Sequence, residues 1–351
     1  MRWRLGSRPG LDGLRGVAVL LVVASHVSPL GSIWRFLGYG GVTVFFTLSG
    51  FLITSMLVEE RDSSGRVDLR RFYVRRTRRL VPALVTMVAV VTVVLAAAGS
   101  WDWLTLAALS YSANWVLALG HGVGSPMGHT WSLSIEEQFY VLWPVVLIGL
   151  SRSGRRTVRG VLVALCLTTA LVPLALAGGP EARVYYGSDA RAFPILAGCL
   201  LAVVLSGRTE TRSRPWAAAV AVAAIVAVCH VPAGGFERLV APQCVAMLTA
   251  ATIFWTAQGA GAPWLELGWL RWFGHRSYGL YLWSYPVFVG LEHLGAGVWV
   301  VALAGVPTAL LLTELSWRLV EQPFRSRRPM RSDALDRRQP VAAGALLSPR
   351  G

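Results

Sequence analysis

Residues 70–98 read RRFYVRRTRRLVPALVTMVAVVTVVLAAA: six arginines within ten positions, then nineteen residues, Leu80–Ala98, without a charge. Coiled as α-helix at 1.5 Å per residue, the apolar part is about 28 Å long, close to the roughly 30 Å of a bilayer's hydrocarbon core. Ten further apolar runs flank it: Leu14–Leu30, Val42–Val58, Leu104–Leu119, Leu133–Leu150, Val161–Ala177, Ala192–Leu205, Trp216–Val231, Leu239–Ala257, Tyr278–Leu294 and Val298–Leu319. With 54% hydrophobic residues, 15% charged residues and a mean hydropathy of +0.54, the chain is too apolar for a water-facing surface. Runs of this length suit helices rather than the short alternating strands of a barrel. The sequence therefore predicts an all-α, polytopic membrane helix bundle in the lipid bilayer of the cell.

The net charge of +15 would suggest nucleic acid in a soluble chain. Here the charges sit in short loops between apolar runs, which is the orientation signal of a membrane protein, so no nucleic acid partner is expected. Every basic side chain is arginine. Phosphate recognition and a GC-rich genome would both produce that bias, and the genome is the simpler cause. If all eleven runs crossed, the loop with Arg152, Arg155, Arg156 and Arg159 would lie opposite the more basic loop Arg61–Arg79. Removing Leu104–Leu119, which carries Ser110, Tyr111, Ser112 and Asn114, brings these loops, Arg208–Arg214, Arg271, Arg276 and the tail from Arg325 to one side. Only Arg35, Arg183, Arg191 and Arg238 stay outside. The expectation is about ten transmembrane helices plus one re-entrant or interfacial helix, with N and C termini cytoplasmic.

Met1–Arg8 and Leu14–Leu30 resemble a signal peptide, but Arg15 and His26 within the apolar part favour a retained first helix. Ala192–Leu205 is short and holds Pro194, so its ends are the least defined. Cys166, Cys199, Cys229 and Cys244 lack metal-ligand spacing, so no metal is expected; Cys229 and Cys244 flank one outward loop, where pairing is the minor alternative. No internal repeat is visible. Residues 1–328 read as one integral membrane domain and 329–351 as a disordered cytoplasmic tail.

An ionisable group at mid-membrane costs about 2.5–3.5 kcal/mol on insertion scales and needs a partner or a task. Arg15 and His26 are eleven residues apart, close to three helical turns, so they share a face about 16 Å apart. On spacing alone, an interfacial arginine and a packing histidine fit equally well. HTWSLSIEEQFY, residues 129–140, enters the membrane from outside with Glu136 and Glu137 adjacent; Ser132 is a possible cap, and the carboxylate not spent on the helix dipole is placed to orient His26. The run Arg70–Arg79 would attract anionic lipid in any case. Phe72 and Tyr73 within it make it equally a cradle for a nucleotide and its phosphates. Asp189 and Arg191 form an opposite-charge pair at the outer mouth, and with His129 and Trp131 they are the candidate acceptor contacts.

These residues fall in stretches that resemble membrane acyltransferase family 3, the bacterial integral-membrane O-acyltransferases. The stretches are LDGLRGVAVLLVVASH (Leu11–His26), GVTVFFTLSGFLIT (Gly41–Thr54), RFYVRRTRRLVPA (Arg71–Ala83), HTWSLSIEEQFYVLWP (His129–Pro144), SYGLYLWSYPV (Ser277–Val287) and LSWRLVEQPFR (Leu315–Arg325). The resemblance implies ten helices, an essential histidine in the first, matched by His26, and an acyl-coenzyme A co-substrate approached from the cytoplasm, with no cofactor bound permanently. It puts Arg75, Arg76, Arg78 and Arg79 at that donor; Arg71 in the same run, and Arg15 on the helical face of His26, complete the expected donor contacts. His26, Glu136 and Glu137 are then the catalytic candidates. The pattern is broken at Thr43, where relatives commonly have an acidic residue, and at Ser284, where they commonly have histidine.

The implied activity is transfer of an acyl group, acetyl in the first instance, to a hydroxyl of an extracytoplasmic cell-envelope carbohydrate. His26 acts as general base or, alternatively, as nucleophile. A small-molecule acceptor such as a macrolide is the alternative within the family. From another class, a secondary transporter would have the same helix count, but no inverted repeat or matched pair of broken helices is present.

Overall fold

The computed structural model describes residues 4–27, 32–230, 235, 239–258 and 261–326, with side chains omitted at 32–36. Arg238 and the expected tail 329–351 lie outside the described residues, as does the Arg35 side chain. Every regular element described is helical: α1 (Pro9–Val27), α2 (Ser32–Ser64), α3 (Leu69–Ala97), α4 (Leu104–Leu109), α5 (Ala113–Ala118), α6 (Thr130–Ser151), α7 (Gly154–Ala175), α8 (Glu181–Tyr186), α9 (Ala192–Ser206), α10 (Pro215–Val228), α11 (Ala241–Thr256) and α12 (Gly268–His293). The last helix, α13, runs from Val298 to Ser326 through two π-helical turns, Val301–Gly305 and Trp317–Glu321. Each turn ends two residues before a proline, Pro307 or Pro323, whose missing N–H breaks the regular ladder.

Among the described residues six helices are long and apolar enough to cross a membrane: α1, α2, α3, α6, α7 and α13. Leu142, Val145, Leu167, Leu171, Leu303 and Leu319 are each more than half exposed on the outside of the bundle, a surface that only lipid tolerates. This is a multi-pass membrane protein. The run Leu104–Leu119 does not cross. It folds as two six-residue helices separated by Tyr111, which has φ 53°, and each helix is only about 9 Å long. Its polar groups are tied down by Gln138, which donates to the Tyr111 carbonyl and to Asn114 Oδ1, both at 2.9 Å.

Without a hydrophobic driving force between helices in lipid, close packing rests on small residues. α2 lies against α9 where Gly50 meets the Ile195 carbonyl and Gly198 meets the Thr47 carbonyl; a Cβ at either would fall 1.9 or 2.0 Å from that oxygen. α1 approaches α12 in the same way at Gly16 and Gly274. α1, α2, α9 and α12 thus form the inner framework.

The basic connections gather at one end of the bundle. Glu59 of α2 accepts from the Leu5 amide, Arg8 pairs with Glu210 at 2.5 Å, and Arg155 bridges Asp62 and the Ser206 carbonyl. His275 meets Asp12 at 3.3 Å, which brings the start of α12 to the same end. Asp68 caps α3 there, its carboxylate accepting from the Arg71 amide at 2.9 Å, so the arginine run begins as helix immediately above this end. The four cysteines are free thiols, Cys229 being packed against Gly40.

Gly50→Ala and Gly198→Ala are each expected to destabilise the protein by about 1–3 kcal/mol through overpacking. Gly149→Ala, with no atom within 4 Å of the added Cβ, should be neutral. Thermal unfolding in detergent compares the three.

Candidate active site

The basic end of the bundle opens into a cavity of about 1380 Å³ between α1, α2, α3, α6, α12 and the end of α13. Eight arginines and four carboxylates line it. Arg15, Arg71, Arg75, Arg76, Arg78 and Arg79, drawn from two distant stretches of sequence, all face this one space. Arg71 and Arg75 are exposed at its mouth, whereas Arg79 lies deeper, its Nε buried without a hydrogen-bond partner. Phe72 also lines the space, but Tyr73 does not. Its hydroxyl donates to the Val141 carbonyl at 2.8 Å and ties α3 to α6, so the expected aromatic cradle is reduced to one ring.

Arg76 organises the middle of the cavity. Its Nε and Nη2 donate to Glu137 Oε1 at 3.0 and 2.8 Å, and its guanidinium lies 2.9 Å from the Tyr140 ring centroid. Glu136, one position earlier on α6, accepts from Ser49 at 2.9 Å and from the Tyr140 hydroxyl at 3.3 Å. Arg15 donates to Ser277 of α12 at 3.2 Å. Both glutamates therefore point inward, as the cost of facing lipid requires.

Neither glutamate is hydrogen-bonded to His26, which corrects the expectation that one of them orients the imidazole. Glu136 lies seven residues along α6 from His129, about 10 Å, and it is His129 that shares the depth of His26. The His26 ring is held by its own helix instead: Nδ1 is 2.7 Å from the Val22 carbonyl. A carbonyl can only accept, so Nδ1 carries the proton and Nε2 keeps its lone pair. Arg15 and His26 do share a face, since Arg15 meets α12 at Ser277 and His26 packs edge-on against Tyr285 of the same helix, ring centroids 5.1 Å apart.

The cavity ends inward at Ser132 and Tyr281, hydroxyls 2.5 Å apart, with the Tyr281 hydroxyl donating to the His129 carbonyl at 2.9 Å. α6 begins at Thr130 with His129 in the capping position, and Ser132 makes this contact across the bundle instead of capping the helix. Thr43 donates to the Tyr39 carbonyl of its own helix at 2.9 Å and is not bonded to His26. Ser284 is buried beside Tyr285.

The acceptor candidates separate. Asp189 pairs with Arg183 at 2.8 and 2.7 Å, not with Arg191, and this hydrogen-bonded partner holds its carboxyl below the usual carboxylate range. Arg191 turns inward, donating to the Tyr185 carbonyl at 2.7 Å and lying over the Tyr39 and Tyr185 rings. The preference of a guanidinium for aromatic faces offsets its burial there. Trp131 is buried against Phe46, Tyr185 and Tyr186. Sequence reasoning missed Ser49, Tyr140, Ser277, Tyr281 and Tyr285. The available signal was the polar recurrence at 277, 281 and 285, spaced by one turn on α12.

The chain matches a protein family described as "Acyltransferase domain" over residues 8–317. It is 32% identical to the peptidoglycan O-acetyltransferase OatA of Listeria monocytogenes over 90% of this chain and 56% of that protein. It is 30% identical to the O-acetyltransferase OatA of Staphylococcus aureus over 91% of this chain and 57% of that protein. It is also 36% identical to YrhL of Bacillus subtilis, itself only provisionally named a peptidoglycan O-acetyltransferase, over 91% of this chain and 55% of that protein. The chain thus spans a little over half the length of these curated relatives. No solved structure matches it significantly. With the family's pattern matched over residues 8–317 and relatives 30–36% identical over about nine tenths of its length, the chain belongs to the membrane acyltransferase family.

Proposed function

We propose that the protein transfers an acyl group, acetyl by the names of its relatives, from acyl-coenzyme A on the cytoplasmic side to a hydroxyl of a cell-envelope carbohydrate on the other. A sugar of peptidoglycan is the acceptor those names favour. The observation that carries the reading is the single cavity that gathers Arg15, Arg71, Arg75, Arg76, Arg78 and Arg79 and ends one residue layer short of His26. Its volume of about 1380 Å³ exceeds the roughly 300–1,000 Å³ of ordinary small-molecule sites, as a long extended ligand would need. Arginines at the mouth bind the phosphates of the nucleotide by charge-assisted hydrogen bonds. The acyl-bearing arm reaches inward along α12.

At the far end His26 Nε2 takes the proton of the acceptor hydroxyl as its oxygen attacks the thioester carbonyl. The C–O bond forms, the C–S bond breaks, and the coenzyme leaves as its thiol. A positioned general base contributes about 10²–10⁴-fold. The ten-span arrangement with cytoplasmic termini is part of the proposal. Added to the six apolar helices, α9, α10, α11 and α12 complete it, and the shared basic end faces the cytoplasm by the positive-inside bias.

His26→Ala should abolish transfer from acetyl-coenzyme A while the protein keeps its elution profile in detergent; near-normal turnover would remove His26 from the mechanism. Arg75→Ala and Arg78→Ala should weaken binding of acyl-coenzyme A about tenfold or more while leaving a truncated thioester without the nucleotide nearly unaffected, because only the full donor offers phosphates. Equal losses for both donors would instead indicate lipid anchoring. For sidedness, single cysteines are introduced at Val123, 80% exposed in the loop before α6, and at Ser153, exposed between α6 and α7, in an otherwise cysteine-free chain. In sealed right-side-out vesicles an impermeant maleimide should label the first and reach the second only after permeabilisation.

A further inference from the structure

The inner tip of the donor cavity and His26 are separated by Tyr281, His129 and Tyr285. The His129 ring centroid is 5.6 Å from that of Tyr281 and 5.0 Å from that of Tyr285, and the His26 ring is 5.1 Å from Tyr285 on the other side. His129 is 5% exposed, and neither of its ring nitrogens has a hydrogen-bond partner; the Pro126 and Leu282 backbone is close without reaching hydrogen-bonding geometry. A packing histidine in an apolar core ordinarily has at least one nitrogen satisfied. This one keeps both an N–H and a lone pair uncommitted, within the wall between the cavity and His26.

We infer that His129 is a second catalytic residue, which gives the departing coenzyme thiolate the proton that His26 removes from the acceptor. The inference rests on the acyl-transfer reading above. Transfer moves one proton: the acceptor O–H bond breaks at His26 Nε2, and an S–H bond must form on the coenzyme, in the cavity on the other side of the wall. The polar groups that line the tip itself are already engaged. Tyr281 donates to the His129 carbonyl, Ser132 donates to Tyr281, and Glu136 accepts from Ser49 and Tyr140. A neutral imidazole donates from one nitrogen while accepting at the other, so His129 protonates the thiolate and is recharged from the His26 side.

The test varies the leaving group at constant acyl group, with acetyl-coenzyme A against an acetyl thioester of an acidic aryl thiol that departs without protonation. His129→Gln should lower kcat with acetyl-coenzyme A by about 100-fold at similar KM, yet fall within about fivefold of the unaltered protein with the aryl thioester. His26→Ala should lose both reactions, because the acceptor proton must still be removed. Equal loss by His129→Gln with the two donors, or no loss with either, overturns the relay. If His129→Gln does not fold, Tyr281→Phe, which releases the His129 carbonyl, decides by the same comparison. If the unaltered protein transfers from neither donor, the acyl-transfer reading fails and the relay with it; if it transfers and only the leaving-group pattern is absent, the relay alone fails.

Discussion

Arg76 lies flat over Tyr140 and is gripped by Glu137, and the arrangement of the donor cavity depends on that contact. A charge facing hydrocarbon costs about 2.5–3.5 kcal/mol or more, so α3 and α6 can carry arginines and glutamates through the bundle only if these face one another or water. Pairing Arg76 with Glu137 neutralises both and leaves Glu136 to bind Ser49. Arg71 and Arg75 stay exposed at the mouth of the open space. An excess of positive charge in a low-dielectric cleft then concentrates anions at the mouth, which is the electrostatic condition for holding a phosphorylated donor.

Much of this was legible in the chain. The length and spacing of the apolar runs implied the helices, and the polar residues 110–114 marked the run that breaks into α4 and α5. The charge of the loops assigned them to one end, and the ion pairs joining Arg8 to Glu210 and Arg155 to Asp62 hold them there. Charge sums are one-dimensional, and so sequence reads them well. Which partner a charge takes is a matter of rotation about helix axes and of depth. Glu136 and Glu137 were assigned to His26 because both lie near the start of α6. A helix advances 1.5 Å per residue, and seven residues place Glu136 about 10 Å beyond His129. Asp189 was paired with Arg191 on proximity in sequence; α8 brings Arg183 round instead, and two tyrosine faces take Arg191.

Thr43 and Ser284 show how a local departure from a family pattern is absorbed. The family pattern commonly has an acidic residue at position 43. With threonine there, the hydroxyl satisfies itself on the Tyr39 carbonyl, and the orientation of His26 comes from the Val22 carbonyl one turn back. Such a backbone acceptor is available in any helix and cannot be seen in a sequence motif. It also fixes the tautomer, because a carbonyl never donates, whereas a carboxylate would additionally stabilise the imidazolium and slow the return of the proton.

The separation of His26 from the cavity has a chemical use. A base standing in an aqueous vestibule would activate water as readily as a sugar hydroxyl, and the thioester would be hydrolysed. Tyr281, His129 and Tyr285 interpose a layer of packed rings, so in the proposed reaction the acceptor side and the donor side communicate through the acyl carbon and a proton but not through solvent. Gly16, against the Leu270 carbonyl, and Gly274, against the Asp12 carbonyl, let the helix carrying Arg15 and His26 lie backbone to backbone with the one carrying Tyr281 and Tyr285 at the basic end of the bundle. A wider spacing between these helices would admit water beside the imidazole and lengthen the reach demanded of the donor's arm.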